Sequence, residues 1–236
     1  MGTIRWVTLD LTIDRAASKH RVELDARAWV DVVEGLVRQP VAELDRLINN
    51  SAWQTTEVLK YDRYVPEQRL SVGLRGDSDP LLRQIGMHLD ATYGVAFSGV
   101  GAIQYRDGND FQGMHSDREM RWLDDTLVAI VVLGQRRPFV LRPRGQWAGA
   151  VDPLPAGADE HDTVLLPGEG DLLVMGGTCQ RDWMHCVPRH ETKLARVSLT
   201  WRWTSKRGRP DTNPTFYDGF HYSDKPKRPG SRRRPS

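Results

Sequence analysis

Between Ala26 and Asn50 the apolar residues Trp29, Val32, Val33, Leu36 and Val37, then Leu44, Leu47 and Ile48, recur at intervals of three and four. That period marks amphipathic helices, and Pro40 divides the stretch, so two short helices are predicted here. A third helix is predicted from Asp79 to Tyr93, with Asp79 as N-cap, Pro80 at the first helical position and Gly94 just past the end. Glu57 to Arg75 mixes aromatic and charged residues and reads as short strands and loops. After Val95 the pattern changes. Val100 to Tyr105, Thr126 to Gly134, Pro138 to Arg142, Asp171 to Gly176 and Ala195 to Trp203 are rich in β-branched residues and bounded by Gly or Pro, as strands are. Pro143 to Gly170 carries Gly, Pro and acids throughout and reads as a long loop. A helical front followed by many strands predicts an α+β domain on an antiparallel sheet or sandwich.

At 236 residues the chain is long enough for one sizeable domain, or one plus an appendage, with a core that needs no staples. Hydrophobic residues at 39% and charged residues at 27% are ordinary globular values. No apolar run approaches the roughly 18 residues of a membrane helix, and MGTIRWVTLDLTIDR lacks the apolar core of a signal peptide. The two cysteines, Cys179 and Cys186, cannot make a disulfide framework. A cytoplasmic protein with no membrane partner is therefore expected, as a monomer. The net charge of +2 divides unevenly: residues 204–236 hold nine basic and three acidic residues, a net +6, so the preceding 203 residues carry −4. A basic tail on a mildly acidic body suits a polyanionic partner, and suits equally a solvated tail that aids solubility.

Two clusters carry candidate chemistry. In His115-Ser116-Asp117 an extended backbone places residues 115 and 117 on the same face, so an imidazole and a carboxylate can meet one ion. His185, in Trp183-Met184-His185-Cys186-Val187-Pro188, lies 68 residues beyond Asp117 and directly after an apolar strand that can bring in a third ligand. Two histidines and one carboxylate on one face of an iron leave three positions open, the arrangement of non-haem Fe(II) oxygenases. Taken alone an H-x-D is common, zinc is an alternative in principle, and accidental pairs such as His185 with His190 exist. The second cluster is Arg196-Val197-Ser198-Leu199-Thr200-Trp201-Arg202. On a strand, residues 196, 198, 200 and 202 share one face and the apolar residues the other. Two guanidiniums turned inward are costly unless they meet anions, and a dicarboxylate supplies two. An edge strand with solvated arginines is the alternative.

Tyr105-Arg106-Asp107-Gly108-Asn109-Asp110, Gly113-Met114-His115-Ser116-Asp117, the segment Gln180 to Pro188 and the strand Arg196 to Arg202 together resemble the AlkB family of Fe(II)/2-oxoglutarate dioxygenases. The resemblance covers about Val100 to Trp203, with a weaker extension back to about Trp53. It implies a double-stranded β-helix (jelly-roll) core over residues 95–203. Before it would come an N-terminal helical extension with a nucleotide-recognition lid over residues 1–94, and after it a basic, partly disordered tail over residues 204–236. It implies Fe(II) held by His115, Asp117 and His185, with 2-oxoglutarate and O2 as cosubstrates. Tyr105 and Arg196 would bind the distal carboxylate of 2-oxoglutarate, Arg202 would lie near its chelating end, and Ser198 would line the same pocket. The family activity it implies is oxidative removal of N-alkyl groups from nucleobases in DNA or RNA, with succinate, CO2 and an aldehyde released.

Departures from the family pattern bear on substrate. Ile103 and Ser198 stand where members often carry Asn. Glu119 occupies the place of an acid that accepts a hydrogen bond from a base's exocyclic amine, and Arg118 stands where an acid is common. The lid segment Val65 to Leu70 is followed by Ser71, Val72, Gly73 and Leu74, with no aromatic wedge, so Trp53, Tyr61 or Tyr64 would have to stack on the base. A tRNA, a protein side chain or a small metabolite is the alternative substrate, and a non-catalytic nucleic-acid-binding relic the alternative class.

Overall fold

A computed structural model of the chain describes residues 12–60, 63–117, 119–145 and 161–205. In chain order the elements are β1 (Lys19–Glu23), β2 (Ala28–Val33), α1 (Pro40–Asn50), β3 (Gln54–Lys60), β4 (Arg63–Leu74), α2 (Pro80–Tyr93), β5 (Ser98–Tyr105) and β6 (Gln112–His115). They continue with β7 (Thr126–Gly134), β8 (Phe139–Pro143), β9 (Thr163–Leu165), β10 (Leu172–Gly177), α3 (Cys179–Asp182), β11 (Trp183–Val187) and β12 (Arg196–Thr204).

The strands form an eight-stranded sheet, ordered β1-β2-β10-β7-β12-β5-β4-β3, and a four-stranded sheet, ordered β6-β11-β8-β9. Every pairing between them is antiparallel. Alternation along the central strands builds two cores. Leu127, Ala129, Val131, Leu133, Val197, Leu199 and Trp201 pack on α1 and α2 outside the large sheet. Val128, Ile130, Val132, Leu173 and Met175 point to the other side and meet Phe139, Leu141, Trp183 and Val187 of the small sheet. This is a jelly-roll sandwich with a helical layer on one face, and its interior lies between the two sheets. The strands β1 to β4, all before residue 94, belong to the same large sheet as β5, β7, β10 and β12.

The helix predicted before Pro40 is not there. Its residues form β2, which lies between β1 and β10, with Val30 and Val32 in the interior and Val33 on the helical side. A strand buried on both faces has no polar alternation, so its valines fell by chance at helical intervals. The helix after Pro40 is present as α1, and α2 matches its expected ends: Asp79 Oδ1 accepts from Leu82 N at 3.1 Å, and Gly94 closes the helix at φ 67°. Where short strands and loops are expected over Glu57 to Arg75, β3 and β4 are long strands paired antiparallel at the edge of the large sheet. The expected loop from 143 to 170 contains β9, paired with β8. Residues 206–236, which hold the basic tail apart from Thr204 and Ser205, and Arg118 and Tyr61 lie outside the described residues. No helix among the described residues is long and apolar enough to cross a membrane.

Candidate metal and cosubstrate site

The small sheet brings the two histidines together. His115 ends β6 and His185 is the middle residue of β11; they are directly paired, with ring centroids 4.3 Å apart. Both belong to the inward-facing set, because His185 alternates with Trp183 and Val187 of the interior core. Phe139 on β8 stacks on the His185 ring at 5.4 Å and fixes its plane. His115 Nδ1 lies 2.8 Å from the Gly113 carbonyl oxygen, which can only accept, so Nδ1 carries the proton and Nε2 presents the lone pair. Burial pushes both imidazoles toward the neutral form. For His185 desolvation, with His115 nearby, brings the pKa down to about 3, and for His115 desolvation outweighs the pull of Asp117.

Asp117 sits just past β6, and its carboxylate is fixed from the opposite sheet. Arg202 Nε on β12 donates to Asp117 Oδ2 at 2.6 Å. Desolvation works to raise the Asp117 pKa, but the charge and hydrogen bond of Arg202 override it and hold the group ionised well below the usual carboxylate range. The Asp117 N–H donates at 2.8 Å to Oε1 of Gln180, a fully buried residue of α3 whose Nε2 contacts Met175 Sδ at 3.7 Å. The structure thus assembles a neutral imidazole pair and an ionised carboxylate. Among the described residues no three such donors lie together as a closed metal-holding group, and the Asp117 carboxylate is engaged by Arg202.

Across the interior, β12 behaves as its alternation foretold. Arg196, Ser198 and Thr200 pair with Tyr105, Ile103 and Gly101 of β5, while Val197, Leu199 and Trp201 enter the outer core. Ser198 and Ile103, the two departures from the family pattern, are therefore cross-strand neighbours on one inner face. Arg196 is fully buried; Nη1 donates to the Pro167 carbonyl at 2.9 Å, yet Nε and Nη2 have no partner among the described residues. Desolvation lowers its pKa to about 10. Tyr105 is buried beside it, and desolvation raises its pKa against the charges of Arg69, Arg196 and Arg137.

Three contributors were not legible as site residues. Gln180 anchors the Asp117 backbone; Arg69 on β4 reaches the neighbourhood of Tyr105 and His115 while bonded to Glu67 at 2.7 Å; and Arg137 lies over the Tyr105 ring. For Arg137 the available signal was an arginine between a Gly-ended strand and Pro138-Phe139. Of the candidate base-stacking residues, Trp53 is not brought to the site. Its indole packs on the outer core, and Nε1 donates to the carbonyls of Leu47 and Ile48 at the end of α1. Tyr64, on the β3–β4 hairpin, is exposed. Glu119 lies half-buried in the turn after Asp117, where the Met120 and Arg121 N–H groups bond to the Asp117 carbonyl.

A jelly roll with paired imidazoles on one sheet and anion-receptive guanidiniums on the other has the layout of a metal-dependent oxygenase core. The chain belongs to the 2OG-Fe(II) oxygenase superfamily, whose sequence profile matches residues 2–207. It is similar to DNA oxidative demethylase ALKBH2 of Arabidopsis thaliana, at 32% identity over 141 residues, covering 53% of this chain and 44% of that protein. Alpha-ketoglutarate-dependent dioxygenase alkB homolog 3 of Homo sapiens is 29% identical over 138 residues, covering 56% of this chain and 46% of that protein. The chain thus spans less than half the length of these curated relatives. A prolyl hydroxylase from Trichoplax adhaerens shares the fold at 10% identity and a TM-score of 0.51, covering 71% of this chain and 78% of its own. The family implies Fe(II), 2-oxoglutarate and O2, and the donors here fit that set. Two neutral imidazoles and one carboxylate suit a ferrous ion, and the unpartnered N–H groups of Arg196 suit a carboxylate.

Proposed function

We propose that this protein is an Fe(II)/2-oxoglutarate-dependent dioxygenase that removes N-alkyl groups from nucleobases in DNA or RNA. The observation that carries the reading is the pairing of His115 with His185 beside an Asp117 held ionised by Arg202. His115, Asp117 and His185 hold the metal. When bound, iron with O2 and 2-oxoglutarate supplies the oxidation of a C–H bond that acid–base chemistry cannot break. The chain positions and shields. Arg196 and Tyr105 bind the distal carboxylate of 2-oxoglutarate, Ser198 lines that pocket, Arg202 orients Asp117, and Phe139 holds the His185 plane. The likeness to a DNA oxidative demethylase and an AlkB homologue supports an alkylated nucleic acid as substrate. Glu119, Arg118 and Tyr64 are the residues assigned to it.

The same chemistry on a tRNA, a protein side chain or a small metabolite is the second reading. It is favoured by Trp53, which caps α1, and by Val72 and Leu74, which pack in the outer core and leave the lid without an aromatic wedge. A product-resolved mass-spectrometric screen decides between them. Loss of a methyl group from oligomers bearing N1-methyladenine or N3-methylcytosine supports the first, and turnover confined to protein or metabolite extracts supports the second.

A further inference from the structure

Arg137, in the loop between β7 and β8, is fully buried and does not meet a carboxylate at ion-pair distance among the described residues. Its guanidinium is instead ringed by carbonyls: Nη1 donates to Asp107 O at 3.1 Å, and Nη2 to Asp110 O at 2.8 Å and Pro188 O at 2.7 Å. Nε is unpartnered. The nearest acids are engaged elsewhere. Asp110 is bound by the backbone and side chain of Arg106, all at 2.8 Å, and Asp107 Oδ1 accepts from the Asn109 N–H at 2.8 Å; Asp171, whose charge bears on Arg196, is bound by Arg136 and the N–H groups of Gly35 and Gly168. The guanidinium carbon lies 5.2 Å from the centroid of the Tyr105 ring, and the Arg137 carbonyl itself accepts from Arg196 Nη1 at 3.4 Å.

Two buried cations therefore flank one buried tyrosine, and among the described residues three of their nitrogens, Arg137 Nε and Arg196 Nε and Nη2, lack a partner and no carboxylate lies at ion-pair distance. A pair of like charges out of water is unfavourable unless an anion joins them. Arg137 also ties the loop after Tyr105 to the exit of β11, so it fixes the backbone that follows the tyrosine.

We propose that Arg137 is a positioning residue for the cosubstrate: it holds Tyr105 in place and adds a second positive charge behind Arg196, so that the inner pocket selects a ligand with an anionic tail. This inference rests on the proposed function and extends it from residues that touch the tail to one that acts through them. Charge felt through an aromatic ring in a dry interior is screened far less than at a surface.

The test is calorimetric binding to the Mn(II)-loaded full chain. 2-Oxoglutarate carries the tail; oxalate keeps the metal-chelating end and lacks it. Arg137→Gln is expected to weaken 2-oxoglutarate about tenfold, equivalent to about 1.4 kcal/mol, and to leave oxalate within about twofold. Arg137→Lys, which keeps the charge, is expected to retain 2-oxoglutarate affinity within about threefold. Unchanged 2-oxoglutarate binding by Arg137→Gln overturns the proposal, as does equal weakening of both ligands, which marks a structural lesion. Where Arg137→Gln does not fold, a tenfold loss for 2-oxoglutarate in Arg137→Lys overturns it. Failure of the wild-type chain to bind 2-oxoglutarate overturns the proposed function itself, and is distinct from every variant result.

Discussion

Replacing Gln180 by leucine removes the side-chain acceptor of the Asp117 N–H while keeping a side chain of similar volume in a fully buried site. The lost bond is short, at 2.8 Å, and leaves a donor in the interior next to an ionised carboxylate. A buried donor left unpaired costs about 1–3 kcal/mol, which in a domain of this size lowers Tm by about 2–4 °C per kcal/mol. Residues that orient a metal ligand are worth about 10–100-fold in metal affinity. Gln180→Leu is therefore expected to melt several degrees lower and to bind Co(II) or Mn(II) at least tenfold more weakly, measured by thermal melts and metal titration on the same sample. Unchanged metal affinity in a destabilised variant would mean that α3 supports the fold alone. Unchanged values in both assays would show that Gln180 does not hold the Asp117 turn.

Other outcomes follow from the same geometry. Asp31 is fully buried on β2, accepting from Arg21 Nε at 2.6 Å, Arg21 Nη2 at 3.0 Å and the Tyr93 hydroxyl at 3.0 Å. Burial raises its pKa, but those bonds and the charges of Arg21 and Lys19 prevail and lower it. Its contribution is thus present above the unfolded carboxylate value of about 3.9 and is lost as pH falls through the lower folded value. Asp31→Asn should cost on the order of 2 kcal/mol at pH 7 and less below pH 4; an equal deficit at both pH values in denaturant titrations refutes that. Gly108→Ala should destabilise strongly, because a Cβ there would collide with the His190 carbonyl oxygen, where the loop after β5 pairs with residues 190–192. A Tm within about 2 °C of wild type, a shift of under about 1 kcal/mol, would count against it.

How much of this was legible in the sequence depended on whether a signal was local. The inner face of Arg196, Ser198 and Thr200 could be read from a period of two, because β12 has one polar and one apolar side. The ends of α2 were equally plain, since Asp79, Pro80 and Gly94 are local stop and start signals. β2 was misread because both its faces are covered, which erases the alternation. Gln180 and Arg137 stayed hidden for another reason. Their importance comes from what strands far apart in sequence bring to them, the Asp117 N–H in one case and the carbonyls of Asp107, Asp110 and Pro188 in the other. In the chain itself each reads as an ordinary polar residue in a turn.

The central claim is that His115, Asp117 and His185 form an iron site that couples 2-oxoglutarate to nucleobase dealkylation. Its most direct test is parallel quantification of succinate and formaldehyde from an oligonucleotide bearing N1-methyladenine, with wild type and Asp117→Ala. Equal amounts of both products from wild type, dependent on Fe(II) and O2 and abolished in the variant, are predicted. Formaldehyde release that survives in Asp117→Ala, or that proceeds without 2-oxoglutarate, would contradict the account.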